Sequence, residues 1–180
     1  MVIGTRQKKI DGAAKATGRA IYADDIQLPR MLHAKILRSP HAHARILHVD
    51  THEAEAMPGV LAVLTGAEIP ERYGIIVWTR DEQALAADKA RYVGDGVAAV
   101  AAIDEETANE ALKKIRVTYE LLEPLLDPAQ ALARTDVVIH DENPKQKGNL
   151  SKHVDLSFGD VDGAMAAAEV VVEGDFYFEG

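Results

Sequence analysis

The run Val97-Ala98-Ala99-Val100-Ala101-Ala102-Ile103 most constrains what this chain can become. Its seven apolar residues fall far short of the ~20 of a membrane span. Its β-branched members disfavour a helix. Gly96 and Asp104 mark its ends, and a continuous apolar run so bounded suits a strand covered on both faces. Asp104 then opens a helix: its carboxylate accepts from an orphan backbone N–H, and Glu105 and Glu106 sit at the positive end of the helix dipole. Ala108, Ala111, Leu112 and Ile115 fall at i, i+3, i+4 and i+7, so one helix face packs inward. Residues 115–119 return as a strand.

An earlier stretch repeats the pattern. Leu32, Ala34 and Ile36 alternate with His33, Lys35 and Leu37, a half-buried strand, and residues 45–49 form a second strand beyond the turn at Ser39-Pro40. Asp50 stands three residues before Glu53, the spacing of a capping box. The helix it opens is stopped by Pro58-Gly59, and residues 60–64 return as a strand. Strands alternating with helices specify an α/β or α+β domain, and a crossover helix would place the second copy's strands side by side in parallel. Between the copies, residues 71–89 read as an inserted loop with a short helix, anchored by the sole tryptophan, Trp78.

Beyond Glu120 the regularity fades. Asp127-Pro128 reads as cap and first position of a small helix through Ala133, and residues 137–139 as a strand. Residues 140–149 are polar, with a Pro and a Gly, and make the best linker. Asp160 caps a helix whose Val161, Ala164, Met165 and Ala168 share a face. Val170-Val171-Val172 and Phe176-Tyr177-Phe178 are strand material, an apolar edge that needs a partner, so this part reads as an interrupted domain.

Composition removes several function classes. Lys and Arg number 20 against 29 Asp and Glu, a net charge of −9 that repels phosphate backbones and anionic lipid. The chain has no Cys, which excludes disulfides, cysteine-ligated zinc, iron–sulfur ligation and a thiol nucleophile. The opening residues carry no apolar core of a secretory signal, and the expected compartment is the cytoplasm.

The candidate chemistry is thin. His41 and His43 would share one side of an extended segment, as two metal-ligating imidazoles require, but Arg45 follows on that side and a cation opposes a divalent ion. The stretch Gly94-Asp95-Gly96-Val97-Ala98-Ala99 fits G-x-G-x-x-A, yet the helix a dinucleotide site needs after Gly96 is replaced by the β-branched run, so a glycine turn or bulge between strand segments is the better reading. Ser39 beside His41 lacks the Gly-x-Ser-x-Gly elbow. Asp24-Asp25 and Glu105-Glu106 are more simply a turn and a first helical turn than acid/base pairs. No nucleophile, base and orienter come together.

Six stretches nonetheless carry a resemblance: residues 11–26, 36–46, 58–60, 91–100, 106–108 and 117–120. In that order they resemble the large, molybdenum-binding subunit of the xanthine dehydrogenase/aldehyde oxidase family. The resemblance implies an α/β hammerhead domain over residues 1–125, built from the strand–helix–strand units. A connecting segment over 126–149 and a truncated start of the molybdopterin-binding domain over 150–180 would follow. Residues 100–108 and 158–161 look most like the alpha subunit of 4-hydroxybenzoyl-CoA reductase, while Gly94-Asp95-Gly96 stands where the family often has Gly-Gln-Pro. None of the family's glycine-rich pterin loops or its glutamate base lies in these residues, so the resemblance assigns no catalytic, cofactor-binding or metal residue here. Molybdopterin would sit in the rest of the full-length enzyme, and iron–sulfur clusters and FAD on partner domains or subunits. There, water-derived oxygen is transferred at an activated carbon, or, in the reductase branch, a ring hydroxyl is removed. The expected partners are the remainder of the molybdenum-binding subunit and the iron–sulfur and flavin subunits, in an enzyme that is oligomeric when complete, with no nucleic acid and no membrane. The competing expectations are a stand-alone, non-catalytic binding or assembly module and a nucleotide-binding enzyme using residues 94–99.

Overall fold

In a computed structural model, residues 3–75, 80–142 and 148–178 are described. The chain forms two compact units, Met1–Pro124 and Leu125–Gly180. The first holds α1 (Gly12–Ala16), β1 (His33–Arg38), β2 (Ala44–Asp50), α2 (His52–Glu55), β3 (Val60–Thr65), β4 (Arg72–Tyr73), β5 (Glu82–Gln83), β6 (Lys89–Ala90), β7 (Gly96–Ala102), α3 (Glu105–Leu112) and β8 (Arg116–Leu121). One three-stranded sheet has the order β1-β7-β3 and a second β6-β2-β8, with β4 and β5 paired alone.

Every strand pairing among the described residues is antiparallel. The expected parallel neighbours do not form, because each strand–helix–strand unit passes from one sheet to the other: β7 and β8 lie in different sheets, as do β2 and β3. The link between β2 and β3, residues 51–59, is shorter than the dozen or so residues a parallel crossover needs. The link between β7 and β8, residues 103–115, is long enough, yet α3 does not return the chain to the first sheet. It packs instead across β1 and β7, while β8 leaves to pair with β2.

The apolar run is the middle strand of the first sheet. Ala98 and Val100 of β7 join Val63, Ala54, Ala111 and Ile115 in a buried core between the sheet and helices α2 and α3. The Asp104 carboxylate caps α3 as its sequence requires, accepting from Thr107 N–H at 2.7 Å. The α2 cap falls one residue later than expected. Thr51 is the N-cap and Asp50 accepts from His52 N–H at 3.1 Å, while Glu53 turns away to pair with Arg116.

The inner side of β1 is not its apolar one. His33, Lys35 and Leu37 are the half-buried set, and Lys35 pairs with Glu105 at the start of α3, whereas Ile36 is 44% exposed. Nor is β7 covered evenly on both faces. Ala99 and Ala101 keep partial exposure on the side away from the helices. Only the end of that side is roofed, where Leu85 and Ala86 are buried and Ala86 N–H donates to the Gly96 carbonyl at 2.7 Å. The described part of the expected loop at 71–89 contains no helix, only short strands; Trp78 lies outside the described residues.

In the second unit, Asp127 caps α4 (Pro128–Ala133) by accepting from Gln130 N–H at 2.8 Å. Residues 137–139 do not form a strand. Ile139 N–H instead donates to the Asn149 side chain, whose amide N–H groups donate to the carbonyls of Ala131 and Val137. The far end of the expected linker is thus a clamp rather than a free tether. Asp160 caps α5 (Val161–Ala167), but its apolar face stays open, with Val161 46% and Met165 54% exposed. The expected strands at 170–172 and 176–178 are absent among the described residues, and those side chains are exposed. Among the described residues, no helix is long and apolar enough to cross a membrane.

Candidate functional site

Two motifs singled out in the sequence meet in space. The connection after β1 and the turn before β7 exchange backbone hydrogen bonds: Ser39 N–H donates to the Asp95 carbonyl and Gly94 N–H to the Ser39 carbonyl, both at 2.8 Å. The Arg38 guanidinium adds a bond to the Gly94 carbonyl at 2.8 Å. Gly94 supplies the turn with a φ of +98°, a conformation side chains disfavour. Gly96 lets the chain pass close to β1 and the roofing loop: a Cβ there would lie 3.2 Å from Ile36 and 3.4 Å from Leu85. β7 begins at Gly96, so no helix N-terminus follows these glycines for a pyrophosphate to rest on.

The side chains around this junction are committed to one another. Ser39 is buried, its hydroxyl donating to the His41 carbonyl and accepting from His41 N–H, both at 3.0 Å. Burial, above all, raises the Tyr119 phenol from its ordinary pKa; the Asp95 charge adds to this and a hydrogen bond with Ser39 opposes it. The Tyr92 phenol is raised chiefly by the negative charge of Asp95, then by burial and a hydrogen bond to that carboxylate, against the opposing pull of Arg38. Both phenols therefore stay protonated, and neither is a base. Asp95 also accepts from Arg91 N–H at 3.1 Å.

His41 and His43 part company. Residues 42 and 43 bend the chain ahead of β2, so the extended geometry that would align two imidazoles is missing. His41 stands edge-on to the Tyr119 ring, centroids 4.9 Å apart at 77°. His43 is buried, its Nδ1 lying 2.8 Å from the Glu123 carbonyl. A carbonyl only accepts, so Nδ1 donates this hydrogen bond, while Nε2 is buried with no hydrogen-bond partner among the described residues. Nothing in this constellation pairs a free nucleophile with a base. It is a clasp that locks the first sheet's connections against β8. The sequence singles out Ser39, His41, His43 and the glycines, but not Tyr92, Tyr119, Asp95 or Glu123 as their partners. The only signal for that pairing is that two resembling motifs lie some 50 residues apart.

A separate cleft of about 250 Å³ lies between residues 46–49 of β2, the 65–67 turn after β3, and residues 86–87. Aliphatic residues line it together with His48 and Thr65. The Thr65 hydroxyl donates to Glu68 at 3.0 Å.

Comparison with known proteins places this clasp in context. Residues 17–123 match the family model described as "Aldehyde oxidase and xanthine dehydrogenase, a/b hammerhead domain". The chain is 41% identical to a probable xanthine dehydrogenase subunit of Bacillus subtilis, over 91% of this chain and 21% of that protein. It is 38% identical to the nicotinate dehydrogenase large molybdopterin subunit of Eubacterium barkeri, over 96% of this chain and 39% of that protein. Among solved structures it is similar to a Cu,Mo-CO dehydrogenase in its carbon monoxide reduced state, with a TM-score of 0.75 at 35% identity, covering 93% of this chain and 23% of that one. The chain thus spans about a fifth to two fifths of the length of the curated relatives named here.

Proposed function

The chain belongs to the aldehyde oxidase and xanthine dehydrogenase family, and from that premise we propose that it is the N-terminal structural portion of such an enzyme's large subunit. The enzyme is a molybdenum-dependent oxidoreductase. Residues 1–125 form the hammerhead domain, 126–149 connect it, and 150–180 begin the molybdopterin-binding region. The role of this portion is to pack the molybdenum domains against an iron–sulfur partner.

Among the described residues, the candidate glycines and histidines do not fit a pterin. The Gly94–Gly96 turn has no helix behind it, Gly96 is filled by Ile36 and Leu85, and the His41 and His43 rings face Tyr119 and Glu123. A cofactor held by the remainder of the subunit performs the redox chemistry, with iron–sulfur clusters and flavin on partner subunits, in the cytoplasm. Residues 100–108 and 158–161 support a finer placement near the 4-hydroxybenzoyl-CoA reductase branch.

The observation that carries the proposal is a match over almost the whole chain to much longer subunits of this family. The test is metal analysis of the complex isolated from its source through a tag on this chain. Molybdenum is expected in that complex and absent from the 180-residue chain alone. Turnover of any substrate, or retention of a pterin, by the chain alone overturns the proposal.

A further inference from the structure

The face of the first sheet turned away from α2 and α3 carries two complete rungs of apolar residues. Register places Ala34, Ala101 and Ala62 side by side, and next to them Ile36, Ala99 and Leu64. Ala34 and Ala62 are exposed, Ile36 is 44% and Leu64 41% exposed, and Ala99 and Ala101 are partly open. A sheet face that meets water normally alternates to polar residues. This one has no polar side chain in either rung, and its floor is alanine, which lets another backbone approach closely.

We infer that this face seats an apolar segment supplied by the remainder of the large subunit, and the inference rests on the reading of the chain as one portion of that subunit. Area and charge select this occupant over a second copy. Three strands ~4.8 Å apart and about four residues at ~3.3 Å each make a patch on the order of 200 Å². A stable free-standing dimer buries about 800 Å² per partner. The rungs are far too small to hold two copies together, but suffice as one contact among many within a larger polypeptide. Each copy also carries a net charge of −9, which opposes self-association. The named relatives are several-fold longer than the stretch they share with this chain, so they contain the polypeptide such a contact needs.

The tagged gene is expressed in its source organism as wild type and as the double variant Ala62→Glu, Leu64→Glu, and the complexes are isolated. The variant is expected to lose at least tenfold in molybdenum recovered with the tagged polypeptide. Variant recovery equal to wild type overturns the inference while leaving the functional reading intact, whereas a wild-type complex without a molybdenum-bearing polypeptide overturns both. Hydroxyl-radical footprinting needs no variant. In the wild-type complex Leu64 and Ile36 should label as weakly as the buried Val63, while in the 180-residue chain they label several-fold more strongly. Equal labelling in both states sinks the inference, as does a dimer of the chain alone that the double variant abolishes.

Discussion

At the scale of single residues, what the sequence discloses depends on how far apart the partners are. Asp104, Asp127 and Asp160 are legible as helix caps because each accepts from a backbone N–H three residues on, a contact fixed by local geometry. Asp50 is the exception: the helix starts one residue later, with Thr51 at the N-cap making no side-chain cap bond, and Asp50 accepts from His52 N–H. The Asn149 clamp and the His43–Glu123 bond are invisible in the sequence, since their partners lie 10–18 and 80 residues away. Asp104 offers a test with a definite sign. Hydrogen bonding to Thr107 holds its carboxyl below the ordinary 3.8. A depressed carboxylate contributes stability that is fully present above its unfolded value and is lost as pH falls through its folded one. Asp104→Ala should therefore lower the melting temperature by a few degrees at pH ~7. That deficit should shrink steadily as the pH drops below ~4, where the wild-type carboxylate is also losing its charge. Thermal melts across pH measure it, and a deficit that does not change with pH would rule out the carboxylate as its source.

At the scale of elements, the positions of strands are readable and their pairings are not. Residues 32–37, 45–49, 60–64, 97–103 and 115–119 all overlap observed strands, because alternation and β-branching report a pleated, half-buried surface. Which strand lies beside which is not set by local pattern: after α3 the chain pairs β8 with β2 in the second sheet, although the connection is long enough to return it beside β7. Which side faces inward also escapes alternation: Lys35 is drawn under α3 by Glu105, leaving Ile36 on the open face. Gly66 shows the same limit. In the sequence it merely ends a strand, yet a Cβ there would lie 2.6 Å from the backbone of Ala86 and Ala87. Backbone cannot rotate aside as a side chain can, so the loop that roofs β7 must lift. Gly66→Ala is expected to cost about 1–3 kcal/mol, the range for overpacking a filled site. Urea unfolding should show the midpoint falling with little change in slope. An unaltered midpoint would mean the loop does not rest on Gly66.

At the scale of the whole molecule, the hammerhead family is legible from six scattered stretches although no active site is. Two of those stretches, residues 36–46 and 91–100, bind each other, and the polar groups visible in them are spent largely on that contact. The second unit poses the opposite problem. Its apolar triplets have strand propensity, but propensity of this kind names a surface that fits a sheet without naming the sheet. Phe158, Phe176, Tyr177 and Phe178 are each at least 87% exposed and belong to no strand or helix. The sheets of the first unit, by contrast, bury Val97 and Val100 almost completely. Brief digestion of the 180-residue chain with chymotrypsin should therefore cut at these aromatics before it cuts within the paired strands β1, β2, β3, β7 and β8, as read by mass spectrometry. In the complex isolated from its source the same sites should resist, because the larger subunit supplies the partners that the triplets lack. Early cuts within those paired strands would show the first unit to be the weaker one. Equal cleavage at the aromatics in both states would show that nothing covers the second unit in the assembled enzyme.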